Sequence, residues 1–126
     1  MTTVLLVDDD PLQSYVRKSF LERHFHAVER ATDAAEAFIR VEEPHFRETL
    51  GLVVVGLNRP GLGSAAFVAE LILRVPSVPI LVLGGSREEA ALYPGENVRF
   101  LPRSVSTDQV LAVSRQMMEH YAPRVA

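Results

Sequence analysis

The chain of 126 residues contains neither cysteine nor tryptophan. Without cysteine there can be no disulfide framework and no thiolate-bound metal. No apolar run approaches the roughly 18 residues that a membrane-spanning helix needs, and no basic segment followed by an apolar one resembles a secretory leader. We therefore expect a cytoplasmic protein that does not enter the membrane.

Lysine and aspartate are also scarce, and the regions that lack them matter. Lys18 is the only lysine, and no aspartate lies between Asp33 and Asp108. Chemistry that needs a lysine after Lys18, or an aspartate in the middle of the chain, is therefore excluded. The formal net charge of −3 argues against a nucleic-acid-binding domain, because such domains usually carry a basic surplus.

Apolar residues, by contrast, make up 48 % of the chain, and its length suits one domain with its own core. We assign residues 1–122 to this domain and 123–126 to a tail. Short segments that are apolar on both faces predict strands of a parallel sheet covered by helices on both sides. These segments are residues 4–7, 52–55 and 80–83, with 98–101 as a fourth strand and 27–30 as a shorter one at an edge.

Helical patterns separate the predicted strands. Asp10 can cap a helix that has Pro11 at its first position, and Leu12, Val16 and Phe20 recur on one face of that helix. The other helices are predicted to begin at Asp33, Ser64, Ser86 and Thr107 or Asp108; Pro94 and Gly95 end the one from Ser86 early. The predicted apolar faces are Ala35, Phe38 and Ile39; then Phe67, Val68, Leu71 and Ile72; and finally Val110, Val113, Met117 and Tyr121.

This alternation of strands and helices predicts an α/β fold, a doubly wound, five-stranded parallel sheet with right-handed crossovers. In such sheets a functional site lies beyond the carboxyl ends of the strands. We call this side of the sheet the carboxyl edge. It is predicted to carry Asp8–Asp10, Gly56–Gly61, Gly84–Ser86 and Pro102–Ser104.

Five segments in the right order resemble the receiver domains of two-component response regulators, over nearly the whole chain. They are Val4–Pro11 with its acidic end, Ala31–Phe38, Leu57–Gly61, Val78–Leu83 and Phe100–Arg103. The resemblance implies a flavodoxin-like (βα)5 fold and a role in signal transduction through a protein partner or an attached output domain. It allows a homodimer and implies no contact with nucleic acid through this domain.

By this resemblance, a working receiver holds Mg²⁺ on an acidic pair and accepts a phosphoryl group on a third aspartate. A hydroxyl residue and a lysine assist it. Asp8 and Asp9 match the acidic pair and form what we call the acidic pocket. Gly56, Gly84 and Arg103 stand in the places of the acceptor, the hydroxyl and the lysine. The chain therefore resembles a pseudo-receiver with no phosphoacceptor, no catalysis, no required cofactor and at most a weak Mg²⁺ site on Asp8 and Asp9.

Arg103 offers a replacement for the missing parts, since a guanidinium is always charged and can fork onto a carboxylate. We hypothesise that Arg103 pairs with Asp8 or Asp9 in place of both metal and lysine; the alternative is an arginine exposed to solvent. Two departures from the family concern the surface that binds partners. The helix from Ser86 is expected to be shortened, and residues 45–50 lengthen the connection into the third strand.

Two other functions stay open. Asp9 or Asp10 could accept a phosphoryl group irregularly, although Asp10 is better explained as a helix cap. Asp8 and Asp10 after an apolar strand also fit the first motif of haloacid-dehalogenase-type phosphatases, in which one aspartate is the nucleophile and the next an acid and base. Those enzymes also need a later lysine and a late pair of acids at a strand end; here Lys18 comes too early and Asp108 opens a helix.

Overall fold

The computed structural model describes residues 2–56, 64–84, 97–102 and 104–120. Its strands are β1 (Thr3–Val7), β2 (Ala27–Ala31), β3 (Leu50–Val55), β4 (Ile80–Gly84) and β5 (Val98–Pro102). All neighbouring strands are parallel, and their order is β2-β1-β3-β4-β5. The predicted doubly wound sheet is confirmed, including the place of β2 at an edge.

The described helices are α1 (Pro11–Glu22), α2 (Ala34–Glu42), α3 (Pro44–Thr49), α4 (Ser64–Arg74) and α5 (Thr107–His120). The extra residues before β3 form α3, a helix too short to show a sequence period, and Phe46 anchors it in the core. The helix predicted from Ser86 and the tail both fall outside the described residues. None of the described helices has the length and apolar character needed to cross a membrane.

The core has two layers, one on each face of the sheet. Alternate residues of β1 divide between them, so that Leu5 and Val7 face one layer and Val4 and Leu6 face the other. The first layer contains buried side chains from α2, α3 and α4: Ala37, Val41, Phe46, Phe67, Val68 and Leu71. The second contains buried side chains from α1 and α5: Leu21, Val110 and Met117. Helices thus cover both faces, as the continuous apolar strands require.

The orientation of α1 differs from the prediction. Leu12 is 75 % exposed and Val16 is 53 % exposed, so the predicted apolar face points mostly to solvent. The inner face instead carries Ser14 and Leu21, both buried, with Arg17 between them. The prediction was wrong because Arg17 pairs with a buried carboxylate at the end of β1, which fixes the rotation of the helix.

The predicted face of α2 was wrong in part: Phe38 packs against the first core layer as predicted, but the other two predicted residues do not. Asp33 accepts a hydrogen bond from the Glu36 N–H at 2.8 Å. Glu36 in turn accepts from the N–H and the hydroxyl of Thr32, at 3.2 and 2.7 Å, and these bonds lower the pKa of Glu36. This start orients the helix so that Ala37 is buried, whereas Ile39 and Ala35 are exposed.

Two truncations on α1 test its orientation. Leu21→Ala removes a buried side chain and is expected to lower the free energy of unfolding by about 2–5 kcal/mol. Val16→Ala removes a largely exposed one and is expected to change it by less than about 0.5 kcal/mol. Urea unfolding followed by circular dichroism measures both. A loss for Val16→Ala as large as that for Leu21→Ala would contradict the observed orientation.

Candidate functional site

Asp8 is the centre of the carboxyl edge. It follows β1 and is fully buried, and its N–H donates to the carbonyl of Ala31 at the end of β2. One carboxylate oxygen, Oδ1, accepts from the N–H of Asp10 at 2.9 Å. The other, Oδ2, accepts from Nη1 of Arg17 at 2.7 Å. Both oxygens of the carboxylate are therefore engaged within the chain.

Arg17 reaches this carboxylate from the second turn of α1. Its side chain is only 14 % exposed, so the Arg17–Asp8 ion pair is nearly withdrawn from water. The cap of the same helix positions it, because Asp10 accepts from the N–H groups of Leu12 and Gln13 at 2.9 and 3.0 Å. The interpretation of Asp10 as a helix cap is confirmed.

A second arginine supports Asp8 from β2. Nη2 of Arg30 donates to the main-chain carbonyl of Asp8 at 3.2 Å. Nε of Arg30 is buried without a hydrogen-bond partner. Two guanidinium groups thus lie close to Asp8, and each places positive charge beside the only fully buried carboxylate in the described residues.

Gly56 lies directly beside the ion pair. Its N–H donates to the carbonyl of Val7 at 2.8 Å, which continues the pairing of β1 with β3. A Cβ on residue 56 would lie 2.6 Å from Nη1 of Arg17 and 3.3 Å from Oδ2 of Asp8. The space that an acceptor side chain would enter is therefore occupied by the Arg17 guanidinium.

The place of the missing hydroxyl is filled in a similar way. Gly84 ends β4, and a Cβ there would overlap the ring of Phe100 on β5. The ring packs against the core layer that contains Val82. Gly56 and Gly84 thus leave space at the carboxyl edge. A larger side chain from a neighbouring element fills each of the two spaces.

The remaining sequence hypotheses have different outcomes. Asp9 is half-buried next to Asp8, and its role in the acidic pocket stays a prediction. Arg103 and Ser86 lie outside the described residues, so the pairing of Arg103 stays a prediction, while Oδ2 of Asp8 is taken by Arg17. The sequence analysis missed Arg17. A signal for it was the spacing of Ser14, Arg17 and Leu21, which places a basic residue on one helical face with a buried apolar one.

The acidic pocket does not fit Mg²⁺. This ion needs near-octahedral oxygen ligands and usually takes one or two carboxylates from the protein. Both oxygens of Asp8 already accept hydrogen bonds, one of them from the Arg17 guanidinium whose charge would repel a metal, and Gly56 supplies no side-chain ligand. Within the described residues, no group of three or more histidines, cysteines, aspartates or glutamates could hold a metal ion.

Solved structures identify the fold. The chain superposes on a response regulator receiver domain protein from Clostridium thermocellum with a TM-score of 0.83 and 18 % identity, over 95 % of this chain and 96 % of that one. The chain has the fold of a response regulator receiver domain. The beryllofluoride-activated receiver domain dimer of NtrC4, a protein of Aquifex aeolicus, matches with a TM-score of 0.81 and 22 % identity, over 97 % of this chain and all of that one.

A sequence comparison agrees with this receiver fold. The chain is 34 % identical over 80 residues to the two-component response regulator PhoP of Pseudomonas aeruginosa. The match covers 64 % of this chain and 34 % of that relative, so it spans about a third of the relative's length. No model of a known protein family matches the chain. The resemblance to response regulators is thus confirmed.

Proposed function

We propose that this chain is a phosphorylation-independent receiver, a non-catalytic module that acts in two-component-type signalling by binding a protein partner. The observation that carries the proposal is at residue 56. A glycine there has no atom that could accept a phosphoryl group, and the Arg17 guanidinium fills the space beside it. The cytoplasmic location expected from the sequence belongs to the same proposal.

Three further features of the carboxyl edge support the loss of phosphoryl transfer. Phosphorylation adds roughly −1.5 to −2 of charge, which a receiver must neutralise and surround with donors. Asp8 is already paired with Arg17, so a metal that would assist the phosphoryl group would meet a positive charge there. Gly84 brings no hydroxyl, and its space holds the Phe100 ring. No lysine follows Lys18.

The exposed face of α1, formed by Leu12, Tyr15 and Val16, supports binding to a protein. These side chains lie at positions i, i+3 and i+4, and Tyr15 is 72 % exposed. Adjacent exposed apolar side chains are typical of surfaces that contact proteins. The partner in this proposal is a signalling protein or an output domain, and the NtrC4 receiver dimer makes a second copy of the chain a candidate as well.

The proposal predicts no phosphoryl adduct. The protein is incubated with Mg²⁺ and acetyl phosphate, and its intact mass is recorded against a working receiver treated in the same way. We expect the mass of this chain to stay unchanged while that of the control rises by one phosphoryl group. A labile adduct on this chain would contradict the proposal.

The same experiment separates the alternatives. An adduct that maps to Asp9 or Asp10 would indicate a receiver with an irregular acceptor, although Asp10 already caps α1. Turnover of a generic phosphate ester would indicate a phosphatase that uses Asp8 and Asp10. We expect neither, since Asp8 is buried in an ion pair and Asp10 holds the helix start.

A further inference from the structure

We infer that Arg17 is a resident cation of the acidic pocket and that it excludes Mg²⁺ from Asp8. The inference deepens the proposed function on which it rests, because it states how a receiver keeps its carboxyl edge in one state without metal or phosphate. Its starting point is the disagreement between a receiver fold, which implies a metal, and an Asp8 carboxylate that is already paired with a guanidinium.

The ion pair and the metal compete for the same atom. Oδ1 of Asp8 accepts from the N–H of Asp10 at the start of α1, so a metal that leaves this bond undisturbed would approach Oδ2. That oxygen lies 2.7 Å from Nη1 of Arg17. A divalent cation there would leave the Arg17 guanidinium beside a charge of like sign, within a nearly buried site where water screens little.

Arg17 has two advantages in this competition. A guanidinium stays protonated at every physiological pH, so no proton has to be supplied or removed. Arg17 is also part of α1, whose cap fixes it next to Asp8. Its local concentration at Asp8 therefore does not depend on the concentration of ions in solution. Mg²⁺ must in addition shed part of a tightly held water shell.

Gly56 and Arg17 complement each other. A carboxylate on residue 56 would point into the space of the guanidinium, since a Cβ alone would approach Nη1 to 2.6 Å. A side chain at residue 56 would therefore have to displace Arg17 or pair with it. The glycine at residue 56 and the nearly buried Arg17 therefore depend on each other, because the space that one leaves empty is the space that the other occupies.

Titration with Mg²⁺ tests the inference. Amide NMR spectra are recorded for the wild type, for Arg17→Gln, and for Arg23→Gln, which removes the same charge at the exposed end of α1. We expect saturable shifts at Asp8–Asp10 and Gly56 only in Arg17→Gln. Its affinity for Mg²⁺ is expected to exceed that of the other two proteins by at least about tenfold.

A second measurement covers the case in which Arg17→Gln is poorly folded. Bound Mg²⁺ stabilises the folded state, so Mg²⁺ should raise the Tm of Arg17→Gln and leave that of the wild type and of Arg23→Gln unchanged. Arg17→Lys keeps a positive charge and is expected to exclude Mg²⁺ as the wild type does.

The outcomes separate this inference from the proposed function. The inference that Arg17 excludes Mg²⁺ would be overturned if the wild type showed saturable Mg²⁺ shifts with the same affinity as Arg17→Gln. It would also be overturned if Arg17→Gln showed neither Mg²⁺ shifts nor an increase in Tm. Neither result touches the proposed function, which is judged by the phosphoryl adduct. An adduct on the wild type without Mg²⁺ bound at Asp8 would reject the proposed function and leave the resident cation in place.

Discussion

Arg17→Ala is expected to lower the free energy of unfolding by about 3–5 kcal/mol, because it leaves the Asp8 carboxylate buried without its partner. A surface ion pair would contribute about 1 kcal/mol or less, but Asp8 is fully buried and Arg17 nearly so. The cost arises mainly from the uncompensated charge and less from the attraction that is lost. Urea unfolding at neutral pH measures the change.

A matched control and a double variant make this result specific. Arg23→Ala removes an exposed arginine at the end of the same helix and is expected to change stability by less than about 0.5 kcal/mol. Asp8→Asn combined with Arg17→Gln removes both charges and keeps an oxygen for the N–H of Asp10. We expect this pair to recover most of the loss, since replacing both partners is often nearly neutral. A double variant as unstable as Arg17→Ala would contradict the explanation.

Gly84→Ala is expected to lower the free energy of unfolding by about 1–3 kcal/mol, the usual cost of overpacking a filled site. The added Cβ would overlap the Phe100 ring, so the ring must leave its place against the core. Alanine would otherwise be tolerated in β4, because glycine weakens a strand. The expected loss of stability therefore arises from the displaced Phe100 ring and not from the backbone of residue 84.

The test for Gly84→Ala uses a second substitution, at Phe100, and a control substitution at another glycine, Gly51. In a Phe100→Ala background the overlap is absent, so adding Gly84→Ala is expected to cost little, and the two substitutions should not be additive. Gly51→Ala is the control, since the added atom would meet the end of the exposed Thr2 side chain, which can move aside. A full loss for Gly84→Ala in the Phe100→Ala background would show that the ring is not the cause.

The strands and caps were predictable because their signals are local. Residues 4–7 and 80–83 are apolar on both faces whatever surrounds them, and a parallel sheet is the arrangement that buries both faces. Asp10 and Asp33 bind N–H groups only two or three residues away, so their role could be predicted from the sequence alone.

The faces of α4 and α5 were predicted correctly, but those of α1 and α2 were predicted less well, because their rotation depends on tertiary contacts. An apolar stripe is normally turned inward, yet α1 exposes Leu12 and buries Ser14. The reason is the Asp8 carboxylate, nine residues before Arg17, which is costly to bury unless a cation pairs with it. Departures of this kind gather at functional sites, where charge outweighs the hydrophobic pattern.

At the candidate site, too, residue types could be read from the sequence, but contacts that depend on the fold could not. The assignment of Gly56 and Gly84 to the places of the acceptor and the hydroxyl rests on the resemblance and stays a prediction. What fills the two spaces, Arg17 in one and Phe100 in the other, depends on which side chains the fold brings there. The hypothesis that Arg103 pairs with Asp8 or Asp9 stays a prediction, and the arginine that contacts the Asp8 carboxylate in the described residues is Arg17 of α1.

The Arg17–Asp8 pair also bears on how such a domain could be controlled. A phosphoryl group is added and removed many times in the life of one molecule, so a working receiver reports on recent events. A cation that is part of the polypeptide is supplied once, at synthesis, and leaves only when the protein is degraded. Under the proposed phosphorylation-independent function, the strength of the signal would follow the number of copies in the cell, and control would rest on transcription, translation and proteolysis.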